Sequence, residues 1–95
     1  MNSGNKVRLH RLVIKYDLPR LDPVLRQRIH RLIKERLLTH PELYGQPMRG
    51  LLKNVWKLRA GDFRVIYSIE KDGILIHIVG HRSEVYKVAK KRLAK

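Results

Sequence analysis

The apolar residues of this chain follow a helical period up to its middle and a period of two beyond it, and that switch limits the possible folds more than any other feature. Leu25, Ile29, Leu32, Ile33 and Leu37 recur at helical spacing, with Arg26, Gln27, His30, Arg31 and Lys34 on the opposite side. Asp22-Pro23 is a good start for this run. An aspartate can accept hydrogen bonds from the free amides of a first turn, and proline suits the first helical position. The spacing predicts a helix to about Leu38, stopping before Pro41. Residues 40–50 hold two Pro and two Gly and read as a loop.

After Gly50 the pattern alternates. Trp56, Leu58 and Ala60 interleave with Lys57 and Arg59, then Phe63, Val65, Tyr67 and Ile69 with Arg64, Ile66 and Ser68. Ala60-Gly61-Asp62 is a turn between them, and Lys71-Asp72-Gly73 carries the Asp-Gly pair favoured in tight hairpins. Residues 74–79 are apolar at most positions, which predicts a central or covered strand. Ser83 is expected to cap a last helix with Val85, Val88, Ala89 and Leu93 inward. Lys87, Lys90, Lys91, Arg92 and Lys95 load its later turns, where the helix dipole favours cations. Residues 7–10 alternate as a short first strand, and residues 12–18 read as a short helix ending near Pro19. The predicted fold class is α+β: a short N-terminal strand, helices packed on one face of an antiparallel sheet, and a C-terminal helix.

The length of 95 residues suits one domain, expected over residues 1–95, with the polar residues 1–5 expected as a flexible tail. Lys and Arg number 22 against 8 Asp and Glu, a formal net charge of +14. Self-repulsion at that level is offset most naturally by a polyanion: nucleic acid first, an acidic protein second, an anionic membrane third. No long apolar run or terminal basic amphipathic helix supports the membrane reading. With no cysteine, disulfides, thiolate catalysis and Cys-ligated zinc are excluded. The polar start lacks the apolar core of a signal peptide, so the cytoplasm is the expected location.

Four stretches bear on chemistry. Residues 45–50 have the glycine spacing of a phosphate-binding loop, but Leu51-Leu52 follows where Lys and then Ser or Thr are required. His77 and His81, four apart on a strand, would face one side and could share a metal, yet no third ligand lies nearby in sequence, so no metal is expected. Lys57, Arg59 and Arg64, with Arg82 just past the last strand, form either a solvated sheet face or an anion-binding patch. Gly80-His81-Arg82-Ser83-Glu84-Val85-Tyr86 spans the passage into the last helix. There Tyr86 is either a core aromatic or a platform for a nucleobase.

Three strings, Met48-Arg49-Gly50, the run from Trp56 through Ala60-Gly61-Asp62 to Tyr67, and Gly80 to Tyr86, resemble the RelE branch of the RelE/ParE toxin superfamily. The match is detailed over about the last half of the chain, and the order of elements fits throughout. The final Tyr favours RelE over ParE. The resemblance implies a RelE-like microbial RNase fold and a type II toxin–antitoxin toxin that enters the ribosomal A site and cuts mRNA without a cofactor. It also implies a cognate RelB-like antitoxin that blocks the toxin. By the resemblance Lys57 matches a lysine proposed as general base, Arg64 the arginine on the scissile phosphate, Arg82 the arginine stabilising the transition state or protonating the leaving oxygen, and Tyr86 the tyrosine stacking on mRNA. Arg49, Lys53 and Arg59 are expected RNA contacts. The chain departs from the pattern at Val55, where some relatives have lysine, and is two residues shorter between Arg82 and Tyr86. The general base and acid are thus left unassigned, with His81 a further candidate. Two other functions stay open: ParE-like inhibition of DNA gyrase, and RNA binding without catalysis. Arg64 and Arg82 are both expected on exposed surface, where substitution barely changes stability.

Overall fold

A computed structural model describes residues 6–48 and 54–93. The elements are strand β1 (Lys6–Leu9), a π-helical turn Val13–Asp17, helix α1 (Pro23–Leu32) running on as a second π-helical turn Ile33–Leu37, a short helix α2 (Pro41–Tyr44), strands β2 (Gln46–Pro47), β3 (Val55–Ala60), β4 (Phe63–Glu70) and β5 (Gly73–His81), and helix α3 (Val85–Leu93). The strands form one sheet in the order β1-β5-β4-β3-β2. None of the described helices is long and apolar enough to cross a membrane.

The α+β expectation holds, with three differences. The sheet is mixed rather than wholly antiparallel, because β1 pairs parallel to β5, Val7 opposite Ile74 and Leu9 opposite Ile76. Nothing in the alternation of four residues distinguishes the two directions. The approach is close: a Cβ on Gly73 would stand 2.1 Å from the Lys6 carbonyl oxygen, so only glycine lets β1 pass the β4–β5 turn. The helices, expected on one face, occupy both. The larger core lies under α1 and the π-helical turns, with Val13, Ile29, Ile33 and Leu37 against Leu58, Val65, Tyr67 and Ile76. The smaller joins Val85 and Ala89 of α3 to Val55, Ile66 and Ile78 on the opposite face. Finally, the stretch expected as loop contains α2 and β2. Gln46 pairs with Lys57 and Pro47 with Trp56, so this segment finishes the far edge of the sheet.

Local chemistry explains the rest. The Asp22 carboxylate accepts from the Leu25 amide at 2.9 Å and Pro23 opens α1, as the sequence predicts. The buried positions Ile29, Ile33 and Leu37 are spaced by four, as are Val13, Asp17 and Leu21. A regular α-helix would rotate such a row by about 40° per step. The wide turns closed by the Leu18 and Leu38 amides on the Val13 and Ile33 carbonyls keep each row facing the core. Tyr67 is fully buried, and its hydroxyl donates to the Pro41 carbonyl, tying α2 to β4. Burial, reinforced by the charge of Glu42, pushes its pKa up to about 12.

β5 carries a bulge. Ile66 faces Ile78 and Tyr67 faces Ile76, so His77 is the extra residue. Before it Ile74 and Ile76 point into the larger core, and after it Val79 does, while Ile78 joins the smaller one. This is why the strand reads as a nearly continuous apolar run. Ser83, the expected cap, stands two residues before α3, and its amide and hydroxyl both meet His81 Nδ1.

Candidate RNA-binding and cleavage site

Turn geometry positions the first group of site residues. β3 and β4 meet in a tight turn whose first residue, Gly61, has φ +63°, a conformation that favours glycine. The resulting register sets Arg59 opposite Arg64 and Lys57 opposite Ile66. Since Val55 and Ile66 belong to the smaller core, strand alternation puts Lys57, Arg59 and Arg64 on the face that α3 covers. Tyr86, in the first turn of α3, then comes down beside them, with Lys57 Nζ 5.4 Å from its ring centre. Tyr44, Gln46, Lys57, Arg59, Arg64 and Tyr86 line one concavity of about 440 Å³. It continues past Pro47 and Met48 along the β2 edge.

Arg64 departs from the expectation of an exposed side chain. It is only 9% exposed, and its Nη1 donates to the Gly61 carbonyl at 2.8 Å and the Phe63 carbonyl at 2.9 Å. Two carbonyl dipoles thus hold a cation directly opposite Arg59, where like charges would otherwise repel. The remaining guanidinium N–H groups have no protein partner among the described residues. A permanently charged donor is therefore held in place with part of its fork unused, the condition for stabilising developing negative charge without reorganisation.

Arg82 attaches to the same turn from the other side. Its amide donates to the Asp62 carbonyl at 2.8 Å, and its Nε lies 3.7 Å from Asp62 Oδ1. The two side chains are 61% and 71% exposed, and an ion pair so open to water is worth at most about 1 kcal/mol. Arg82 does not line the concavity. Its side chain is exposed and only lightly held by Asp62.

His81 is not brought together with the others. It pairs with Phe63, and the two rings meet edge to face at 5.3 Å, on the side of the larger core. Its Nδ1 accepts the Ser83 amide at 3.1 Å, so the neutral ring carries its proton on Nε2 and presents a donor outward. The bulge also separates the two histidines expected on one side. His77 points to the opposite face, with Nε2 2.9 Å from Ser68 Oγ, which in turn donates to Glu70 at 2.6 Å. Burial, then the nearby His10, lowers the His77 pKa against a smaller opposing pull from Glu70, so the ring is neutral near pH 7. Arg49 and Lys53, and the expected tail at residues 1–5, lie outside the described residues.

Sequence reasoning missed two lining residues, Tyr44 and Gln46, because it read their segment as loop. The available signal was an aromatic flanked by Pro41 and Gly45. Tyr44 is 46% exposed and carries the Arg36 guanidinium 5.3 Å from its ring centre.

A family model for the ParE toxin of type II toxin–antitoxin systems matches residues 8–86. A curated relative, toxin RelE of Mycobacterium tuberculosis, is 36% identical over 55 residues, which is 58% of this chain and 50% of that protein. This match spans half the length of the relative. Among solved structures, the toxin–antitoxin complex RelBE2 from M. tuberculosis superposes with a TM-score of 0.76 at 26% identity, over 83% of this chain and 99% of its counterpart. A variant of the E. coli toxin RelE in the free state gives 0.73 at 23% identity, over 95% of this chain and 98% of that one, a likeness of fold.

Proposed function

Because the chain belongs to the RelE/ParE superfamily of toxins from type II toxin–antitoxin systems, we propose that it is an endoribonuclease that cleaves mRNA in the ribosomal A site, and that a cognate RelB-like antitoxin restrains it. The observation that carries this reading is the concavity uniting Lys57, Arg59, Arg64 and Tyr86. It offers cations for a phosphodiester beside an aromatic surface for a base, the pairing that single-stranded nucleic acid requires.

In the proposed reaction the 2′-oxygen attacks the adjacent phosphorus, loses its proton, and the bond to the 5′-oxygen breaks. The products are a cyclic phosphate and a free 5′-hydroxyl. Negative charge grows on the non-bridging oxygens. Arg64, held by the turn carbonyls, meets that charge, and Arg82 swings from Asp62 to join it. These two guanidinium groups supply the charge stabilisation that a metal ion supplies elsewhere, so the chemistry needs no cofactor. Tyr86 stacks on a base and fixes the sugar for in-line attack. Lys57, beside the Tyr86 ring, is the candidate to take the 2′-proton. His81 stands on the other side of the turn, and the Nε2–H of its neutral ring donates a hydrogen bond but not a proton, so the leaving 5′-oxygen takes its proton from water. Alignment by the ribosome contributes the remaining acceleration. Arg59, Arg49 and Lys53 extend the basic track for the RNA backbone. Such a target places the action in the cytoplasm.

The antitoxin reading rests on the family and on the relative solved as a toxin–antitoxin complex. With a charge of +14, the surface favours an acidic partner. A second reading, inhibition of DNA gyrase, is favoured by one observation, the match to the ParE model. Expression without antitoxin, followed by primer extension across a translated message, separates the two. Cuts inside the translated region support the RNase, and intact messages with poisoned gyrase support the alternative.

A further inference from the structure

We propose that the buried Asp17–Arg92 pair sets the orientation of α3 and thereby holds Tyr86 over the Lys57 side of the site, making both positioning residues for RNA binding. The proposal rests on the reading of Tyr86 as a base-stacking platform.

Arg92 Nη1 lies 2.8 Å from Asp17 Oδ2 and Nη2 lies 3.3 Å from Oδ1, a two-point contact between side chains that are 11% and 7% exposed. Each partner is also bound to the sheet. Arg92 Nη1 donates to the His77 carbonyl at 2.9 Å, and Asp17 Oδ2 accepts from the Val79 amide at 3.0 Å. The location explains why. β1 covers the edge of β5 only as far as Ile76, whose carbonyl takes the His10 amide. Beyond that point the outward backbone groups of β5 need partners, and the ion pair supplies them. One cluster thus ties together the π-helical turn, the sheet edge and the last turn of α3.

Apolar packing fixes α3 only in part. It contributes Val85 and Ala89 as fully buried residues, both small, with Tyr86, Val88 and Leu93 partly buried beside them. Along its flank, where Val85, Val88 and Arg92 face Tyr16 and Leu21, a cleft of about 540 Å³ remains. Among the described residues that open flank gives a roll of the helix little resistance, whereas a two-point ionic contact has fixed direction. Tyr86 lies six residues before Arg92, about 9 Å along the axis. A tilt of roughly 10° about the Arg92 end would then move the ring by about 1.5 Å, and displacements of about 1 Å at a site can cost a hundredfold in rate. Buried ionic groups are costly to desolvate, so retaining this one makes sense if it selects one arrangement.

The test uses the full chain carrying Asp17→Asn or Arg92→Lys, each alone and combined with Tyr86→Ala. Asp17→Asn keeps the shape and raises the net charge by one, so a purely electrostatic effect would tighten binding. Positioning predicts the reverse. Affinity for a short single-stranded RNA should weaken between roughly fivefold and a hundredfold, the range for losing one stacked base. In the Tyr86→Ala background the same substitution should change affinity little. Nuclear Overhauser contacts between the Tyr86 ring and the Lys57 methylenes should be lost in the folded Asp17→Asn protein. Retained contacts would overturn the proposal, whatever happens to RNA binding. An equal loss of affinity with and without Tyr86 would overturn it as well, reducing the pair to a general structural role. Should Tyr86→Ala itself leave RNA affinity unchanged, the stacking role falls, and the link of the clamp to RNA binding falls with it. The ring contacts still report separately whether the pair orients the helix.

Discussion

Replacing Arg64 with alanine should damage stability and activity together, and the structure sets both sizes. The guanidinium makes two charge-assisted bonds to the carbonyls of Gly61 and Phe63 from a position that is 9% exposed. Bonds to charged groups are worth about 1.5–3 kcal/mol each when lost without replacement. Gly61 is exposed, so water regains part of that, and a net loss of about 1–3 kcal/mol is expected. For a domain of this length that lowers Tm by roughly 5–20 °C. Cleavage of ribosome-bound mRNA, measured below the new melting point, should fall by about 10²–10³, as for removal of one oxyanion donor. Arg64→Lys separates the two effects, because an ammonium keeps the charge and can reach a turn carbonyl but lacks the planar fork. It should recover much of the Tm and little of the rate. An Arg64→Ala protein that melts with the wild type would refute the turn-anchoring argument. One that cuts at the wild-type rate would refute its role at the phosphate.

Arg82→Ala should lower cleavage comparably while shifting stability by less than about 0.5 kcal/mol in urea unfolding, since its only side-chain partner among the described residues is an exposed aspartate 3.7 Å away. Tyr86→Phe should retain near-full cleavage of a translated message, as stacking uses the ring, and a large loss would assign the work to the hydroxyl. His77 makes stability depend on pH: its folded-state pKa lies below the ordinary 6.5, so the unfolded chain binds its proton first. Its contribution is complete above pH 6.5 and is lost as pH falls through the folded value. His77→Gln should flatten that limb in denaturation curves taken from pH 7.5 to 5.

The types and order of the longer elements were legible in the chain because local chemistry sets them, whereas α2 and β2 were read as loop. Asp22-Pro23 begins α1 whatever lies elsewhere, and the alternation from Trp56 to Ile69 with Gly61 between its runs specifies β3 and β4. The grouping of Lys57, Arg59 and Arg64 follows from strand parity and one tight turn, so most of the candidate site was visible too. Tertiary structure alone decided what depends on distant partners. The parallel pairing of β1 requires Gly73 beside Lys6, and the placement of α3 on the second face depends on where Ile66 and Ile78 need cover. The His77 bulge, which sends His77 and His81 to opposite faces, arises from the pairing of β4 with β5. Arg92 reads as one more cation at a helix end, and Asp17 as one polar residue before a turn. They lie 75 residues apart and meet because β5 has outward backbone groups that β1 is too short to cover. Periodicity records which way a side chain faces, whereas the partner waiting there is set by the path of the whole chain.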